Sequence, residues 1–527
     1  MATPQRIRAA VWQPWLRTAL VSLALVLPLA TDAAAQPRRS VIVTGSQSRV
    51  DGLAARHGVA IRKRLRTGAV IDVSAAELDA LKRDGGVHEN HVMRTHSAIT
   101  LATTGADQVQ AGLPDFGLGR IVGRGVGVVV IDSGVAKMAE FQERVVLRLD
   151  FTPRLRSGQA DARRGLDEHG HGTHVAGIIA ANGGRRHDET RGMAPGAHIV
   201  SLKVLDADGV GYESEVIEAL DWAVDNAERY RLRVINLSLG GAVEEGWRED
   251  PLCQAVERAH DAGLLVVASA GNFGKTEDGT PLFGAVTTPG HCPHALTVGA
   301  VNAKGTAFRS DDVMATYSSK GPTLKDRLIK PDISAPGNKV LGLLAPGSTI
   351  AREHPELVRD TTEGKRLELS GTSMAAAAAS GAAALLLDWK PRLAPMGVRL
   401  LLQATATLLP DTPILASGAG SINVLAAVTG PESKSFPATS VIAGEEVVGS
   451  SVVFRSTALS GAPVYQRGGL LRNQKVGGGQ IIWSDQIIWS DQIIWSDQII
   501  WSDQIIWSDE IIWSDQIIWS DQITSSD

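Results

Sequence analysis

The sequence predicts an α/β fold, a mainly parallel sheet held between two helix layers and preceded by a small separate domain. Three observations carry this. From about Ala106 to Val428, short β-branched runs alternate with helical patterns. The runs are apolar throughout, as strands covered on both faces must be, and the helical stretches between them suit right-handed crossovers. Each run is also bounded by Gly, Asp or Asn. A chain of 527 residues exceeds one ordinary domain, and 44% hydrophobic with 21% charged residues is a globular balance. A net charge of -5 and the lack of any Lys/Arg cluster exclude nucleic acid as a partner.

The elements follow in order. Arg6, Arg8 and Arg17 precede an apolar run from Ala19 to Ala30 and then Ala33-Ala34-Ala35. That is the layout of a signal peptide over residues 1–35, implying export and a secreted or cell-surface protein. The alternative is a membrane anchor, but the run is shorter than the ~20 residues needed and contains Pro28. Residues 36–97 read as a β-α-β-β-α-β unit of ferredoxin-like pattern: Val41 to Val43 as a strand, a helix near Leu53 to His57, and a strand around Ala69 to Val73. A helix from Ala75 to Leu81 and a last short strand near Val87 follow. Ser74-Ala-Ala-Glu77 is a capping box for the second helix. The polar, Thr-rich stretch between Met93 and Gly105 reads as the link to the larger domain, 98–430.

In that domain the strands are Val126 to Ile131, Ile199 to Leu205, Val234 to Leu239, Leu264 to Ala268 and Ala295 to Val301. Ligands of such sheets bind at the carboxyl ends of the strands. Asp132, Ser238 and Asn272 each follow or end one of these runs, so all three belong on one edge. Leu343 to Leu369, rich in charge, reads as a long surface connection near that edge. Gly274 to Val286, with Glu277 and Asp278, reads as a solvated loop. Residues 431–479 carry no assignable pattern. From Gln480 the hexapeptide Gln-Ile-Ile-Trp-Ser-Asp repeats through Asp521, with Glu510 replacing one Gln and a degenerate last copy, Gln522 to Asp527. Six is a multiple of the strand period, so in extended chain every Trp shares a face. It is also the period of solenoids with three repeats per coil. A strand-forming extension for surface association or self-association, dispensable for chemistry, is expected.

The chemistry lies in three segments: Val-Val-Ile-Asp132-Ser-Gly-Val, His-Gly-His171-Gly-Thr-His-Val-Ala-Gly and Ser-Gly-Thr-Ser373-Met-Ala. A serine hydroxyl needs a base to take its proton and a third group to orient that base. The order Asp, His, Ser is neither that of α/β-hydrolases nor that of chymotrypsin. These segments, with Ala-Ser-Ala-Gly-Asn272-Phe-Gly, closely resemble the motifs of the subtilisin-like serine proteases, over roughly residues 40 to 430. The resemblance implies a subtilisin-like three-layer fold and an endopeptidase working through an acyl-enzyme. Ser373 would be its nucleophile, His171 the general acid and base, Asp132 the orienting carboxylate and Asn272 the oxyanion donor beside the Ser373 amide. It implies that residues 36–97 are an inhibitory propeptide acting on its own enzyme, and that polypeptides are the substrates. Ser238, Leu239 and Gly240, with Ser269, Ala270 and Gly271, would wall the primary specificity pocket. Gly209 and Gly211 would pair with substrate along the other edge, glycine allowing close approach.

No cofactor is expected for catalysis. Structural calcium is common in the family, but no ligands can be placed. His174 reads as structural, and His169 with His171 lacks a third ligand for a metal. Gly117-Leu-Gly119 precedes a strand, against a dinucleotide fingerprint. Cys253 and Cys292, the two cysteines, form a disulfide or remain separate buried thiols; similar pairs in secreted relatives favour the bond. One departure is Ala377, where the family usually has proline four residues after the serine. The competing expectation is a catalytically silent scaffold that displays the repeats.

Overall fold

The computed structural model describes residues 39–65, 68–89, 96–152, 166–183, 190–430 and 439–450, and three short strands of the tail, 474–476, 479–482 and 499–500. The expected signal peptide lies outside the described residues, as do most of the repeats. The chain divides into two compact units between residues 91 and 92.

The first unit is β1 (Arg39–Thr44), α1 (Gln47–His57), β2 (Ile61–Leu65), β3 (Gly68–Val73), α2 (Ala75–Lys82) and β4 (Val87–Glu89). The strands form one antiparallel sheet in the order β2-β3-β1-β4. Its core is Val41, Val43, Ile71 and Val73 against Val50, Leu53, Leu78 and Leu81 of the helices. The capping box is present: Glu77 N donates to Ser74 Oγ and Ser74 N to Glu77 Oε2 at 2.7 Å.

The second unit begins with α3 (His96–Thr104) and α4 (Ala106–Ala111). Here the expectation of a polar linker fails: Ile99 to Thr104 are all buried. The four threonines mislead because Thr100 O and Leu101 O accept the Thr104 hydroxyl, so helix carbonyls satisfy it inside the core. The main sheet is built from β5 (Gly127–Asp132), β6 (Val145–Asp150), β7 (His198–Lys203), β8 (Leu232–Leu237), β9 (Leu265–Ser269), β10 (Leu296–Asn302), β11 (Val313–Met314) and β12 (Ile333–Pro336). Its order is β11-β10-β9-β8-β5-β7-β6, with β12 on β10, and only β11 runs antiparallel. Every residue of β5 and β9 is buried, which explains runs without alternation. One face carries α5 (His171–Ala180) and α9 (Thr372–Trp389), packed on Val128, Val130, Val234 and Val267. The other carries α6 (Glu213–Asp225) and α7 (Pro251–Asp261), packed on Val129, Ile131, Ile235 and Val266.

Leu343 to Leu369 is not a simple surface connection. It holds α8 (Thr349–Glu353) and the hairpin β14 (Val358–Thr361) and β15 (Gly364–Leu369), which pairs with β13 (Val340–Gly342). Its charge is partly interior: Arg366, 5% exposed, pairs with Glu140 at 2.9 Å. Nor does the larger domain stop at 430. After α10 (Pro395–Thr405), α11 (Ile414–Ser417) and α12 (Val424–Thr429), a hairpin β16 (Thr439–Ile442) and β17 (Glu445–Val448) sends Ile442 and Val447 into the main core. In the tail, β18 (Gln474–Val476) is antiparallel to β19 (Gly479–Ile482), and β19 is parallel to β20 (Ile499–Ile500). Among the described residues no helix is long and apolar enough to cross a membrane.

Candidate active site

Parallel strands put their carboxyl ends on one edge. Asp132 is the last residue of β5, Ser238 follows β8 and Asn272 lies three residues past β9. Helices α5 and α9 pack together on the same face, with His171 opening one and Ser373 second in the other. The fold thus gathers these five expected residues at one end of the sheet.

Asp132 is fully buried, and its carboxylate accepts from His171 Nδ1 at 2.8 and 3.0 Å. That contact fixes the tautomer and leaves Nε2 as the nitrogen free to exchange a proton. Burial disfavours the imidazolium, but the Asp132 charge and hydrogen bond and the Asp167 charge outweigh it, so the His171 pKa is raised. His174, a turn further on, is fully buried, and its Nε2 donates to the carbonyls of Val340 and Leu367 at 3.1 and 3.0 Å. Burial and then the His171 charge push its pKa down to about 4, so it remains neutral and braces α5 against the β13–β15 sheet. The His169 ring lies 6.3 Å from that of His171, its pKa lowered by burial and by His171. The backbone at Glu168 and His169 is held by amides of α8: Thr349 N donates to Glu168 O and Ile350 N to His169 O.

Ser373 is half-buried. Its hydroxyl donates to Ser238 O at 3.0 Å, and the Ser238 hydroxyl donates back to Ser373 O at 2.9 Å. A chain of side chains extends this tie into the core, Ser380 Oγ to Asn236 Oδ1 and Asn236 Nδ2 to Ser238 Oγ, both 2.9 Å. The nucleophile candidate therefore rests on Ser238 instead of His171, as apo hydroxyls often do before substrate aligns them. Its amide is among the first of α9, where a helix supplies no carbonyl partner. Asn272 is exposed, and its Oδ1 accepts from Thr372 N at 2.9 Å and from Thr372 Oγ1 at 3.1 Å. The other end of the amide, Nδ2, is thereby presented as a donor beside the start of α9.

The expected pocket walls are joined, Ser269 Oγ donating to Leu239 O at 3.2 Å. Sequence reasoning missed what stands between them. Thr288 pairs its backbone with Gly241, and Thr287 N donates to Ala270 O at 3.1 Å. A Cβ on Gly240 would come within 2.6 Å of Thr287 Oγ1, and one on Gly271 within 2.8 Å of Thr287 Cγ2. Likewise a Cβ on Gly211 would meet Val204 O at 2.2 Å, and one on Gly209 the His169 ring at 2.7 Å. Neighbouring protein atoms therefore leave no room for a side chain at these glycines, a requirement the sequence did not show. The Glu277-Asp278 segment is a turn in which Asp278 accepts from Thr276 and Thr280. Cys253 and Cys292 form a disulfide that ties α7 to the segment after Thr288. Asp250 joins the same brace, accepting from Cys253 N at 3.1 Å and Thr288 Oγ1 at 3.1 Å.

A family model described as the subtilase family matches residues 123–428, more than half of the chain. The chain belongs to the subtilase family. Among relatives, it is 34% identical over 317 residues to the serine protease AprX of Bacillus subtilis (strain 168), covering 59% of this chain and 67% of that protein. It is 32% identical over 365 residues to subtilisin E of the same organism, covering 68% and 81%. Of solved structures, sphericase aligns at 30% identity with a TM-score of 0.47 over 57% of this chain and 92% of that one. This subtilase is accordingly a subtilisin-like serine peptidase, a hydrolase of peptide bonds whose chemistry needs no cofactor.

Proposed function

We propose that this subtilase is a secreted endopeptidase, made as a precursor inhibited by its own propeptide, that cleaves polypeptides through an acyl-enzyme on Ser373. His171 Nε2 takes the hydroxyl proton as Oγ attacks the scissile carbonyl. The negative charge that moves onto the carbonyl oxygen is met by Asn272 Nδ2 and Ser373 N. His171 then passes its proton to the leaving amine, and water repeats the sequence to release the acid. Asp132 holds the tautomer and stabilises the transient imidazolium without taking the proton. The observation that carries this reading is the pairing of His171 with the buried Asp132 on the strand edge where α9 begins.

The expected domains fit it with two shifts. The buried α3 argues for precursor cleavage ahead of Ile99, between Met93 and Ala98, and the β16–β17 hairpin argues for a catalytic domain reaching Ser450. N-terminal sequencing of secreted protein tests the first; a start near Gln36 would sink it. Among the described residues only Cys253, His291 and Cys292 converge as three donors, and those sulfurs are bonded to each other. A fluorophosphonate probe decides between enzyme and scaffold: the folded, processed protein takes label and Ser373→Ala does not. A well-folded, processed wild type that takes no label overturns the reading.

A further inference from the structure

The hydrogen bonds that fix the start of α5 converge on a carboxylate that neither the motifs nor the resemblance singled out. Asp167 stands four residues before His171 and is 5% exposed. Its Oδ1 accepts from Ser133 Oγ at 2.8 Å and from Gly170 N at 2.7 Å, and its Oδ2 accepts from Thr173 N at 2.7 Å. The Ser133 hydroxyl in turn accepts from Gly172 N at 2.9 Å, while Ser133 N donates to Asp132 Oδ1 at 2.7 Å. Gly170 occupies the cap position of α5 and has no side chain to cap with. Ser133 and Asp167 take over that task for the first amides of the ten-residue helix. The same serine is bonded to both carboxylates, so the two acids are tied to one another as well as to the helix that carries the imidazole.

We propose that Asp167 is a positioning residue of the proteolytic reaction, a second buried carboxylate that locks the backbone on both sides of His171 and supports the imidazolium formed when the base takes its proton. The inference rests on His171 being that base. Its charge lies among few others: Asp132 at the end of β5, His169 in the same loop, His174 a turn along α5, and Lys203 at the end of β7. The Lys203 ammonium is held by Ser133 O and Glu168, both at 2.8 Å. Of these, Asp132 and Asp167 are the groups that favour a charged His171. A second negative charge, tied through Ser133 to the carboxylate that holds the imidazole, raises the cost of losing the imidazolium proton.

The test uses the mature full-length enzyme and the pH dependence of kcat and KM on a soluble peptide. Asp167→Asn keeps one acceptor and removes the charge. It is expected to lower kcat by up to about 100-fold, with KM unchanged, through a displaced imidazole. It is also expected to shift the acid limb of kcat/KM to lower pH, which loosened packing alone would not do. Ser133→Ala keeps both charges and cuts the tie, so kcat is expected to fall while the acid limb stays in place. An unmoved acid limb in folded Asp167→Asn overturns the proposal. If Asp167→Asn does not fold, Ser133→Ala decides, and wild-type kcat in that variant overturns it. Failure of the underlying reading looks different: His171→Ala would then retain wild-type kcat.

Discussion

Asn272 offers two atoms that the amino-acid type alone cannot tell apart in orientation, and its contact with Thr372 decides between them. A backbone N–H at 2.9 Å requires the oxygen, so the nitrogen is left to donate. Asn272→Leu is therefore expected to cost about 10²- to 10³-fold in kcat with KM nearly unchanged, a magnitude known from a subtilisin and carried over to this relative. The pH profile tests Asp132 separately. A base with a raised pKa is silenced as pH falls through that value, so kcat/KM is expected to fall on the acid side from a pH above the ordinary histidine value. Asp132→Asn removes the larger favourable charge. The residual activity, lower by about 10⁴-fold as in another serine protease, should then show an acid limb moved to lower pH. An unmoved limb would break the link between Asp132 and the base. These four side chains were legible in the sequence because acyl transfer demands particular residue types in motif context. Thr287 and the Ser238 tie were not, because each works by touching backbone outside its own motif, and Asp167 was not, because its tie to the catalytic segment runs through the side chain of Ser133, 34 residues away.

The helix α9 shows why element-scale detail was only half readable. Its run of Ala, Gly and Leu announced a buried helix, and Thr372 to Leu387 are buried apart from Ser373. The run did not announce that Gly381 sits against Met193, in the segment after α5, where a Cβ would come within 2.4 Å of Met193 Cβ and 3.3 Å of Ile179 O of α5. Buried charge was still less visible. Arg399 of α10 reaches Asp332 Oδ1 at 2.5 Å and Lys330 reaches Asp332 Oδ2 at 2.8 Å, all three nearly without exposure. Charged residues read as surface until a partner from another segment is known. Asp312 is the opposite case, a carboxyl 2% exposed with neither oxygen hydrogen-bonded among the described residues. Burial raises its pKa to about 7, aided by the Asp311 and Glu445 charges and opposed mainly by the Arg309 charge. A folded pKa above the unfolded one means that the native state holds the extra proton. Asp312 therefore weakens stability progressively as pH rises from near 4 to about 7, and the full cost persists above that. Asp312→Asn should raise the melting temperature at pH 8 and leave it little changed at pH 4, the gain being on the order of a few kcal/mol. Equal shifts at both pH values would show that the carboxylate is compensated.

At the scale of the molecule, two long-range ties are separable by experiment. The disulfide closes a span of 39 residues, for which the loop-entropy account gives about 4 kcal/mol. Because the same brace holds Thr288 against Gly241, Cys253→Ser with Cys292→Ser should lower thermal stability and also raise KM, with kcat less affected. A change in stability without any change in KM would confine the bond to the scaffold. The tail poses a different question, since near-identical hexapeptides bury the same groups at any offset divisible by six. The parallel register pairs Ile481 with Ile499 and Ile482 with Ile500, so partners lie three hexapeptides apart. That spacing is one coil of a three-repeat solenoid, whereas pairing between chains would have no reason to favour it within one chain. Neighbouring strands about 4.8 Å apart are within disulfide reach, and both natural cysteines are already bonded to each other. Ile481→Cys with Ile499→Cys should therefore close an intrachain disulfide on mild oxidation, and Ile481→Cys with Ile493→Cys should not. Crosslinks found only between chains, or equally at both spacings, would replace the coil with an intermolecular cross-β assembly of the tails.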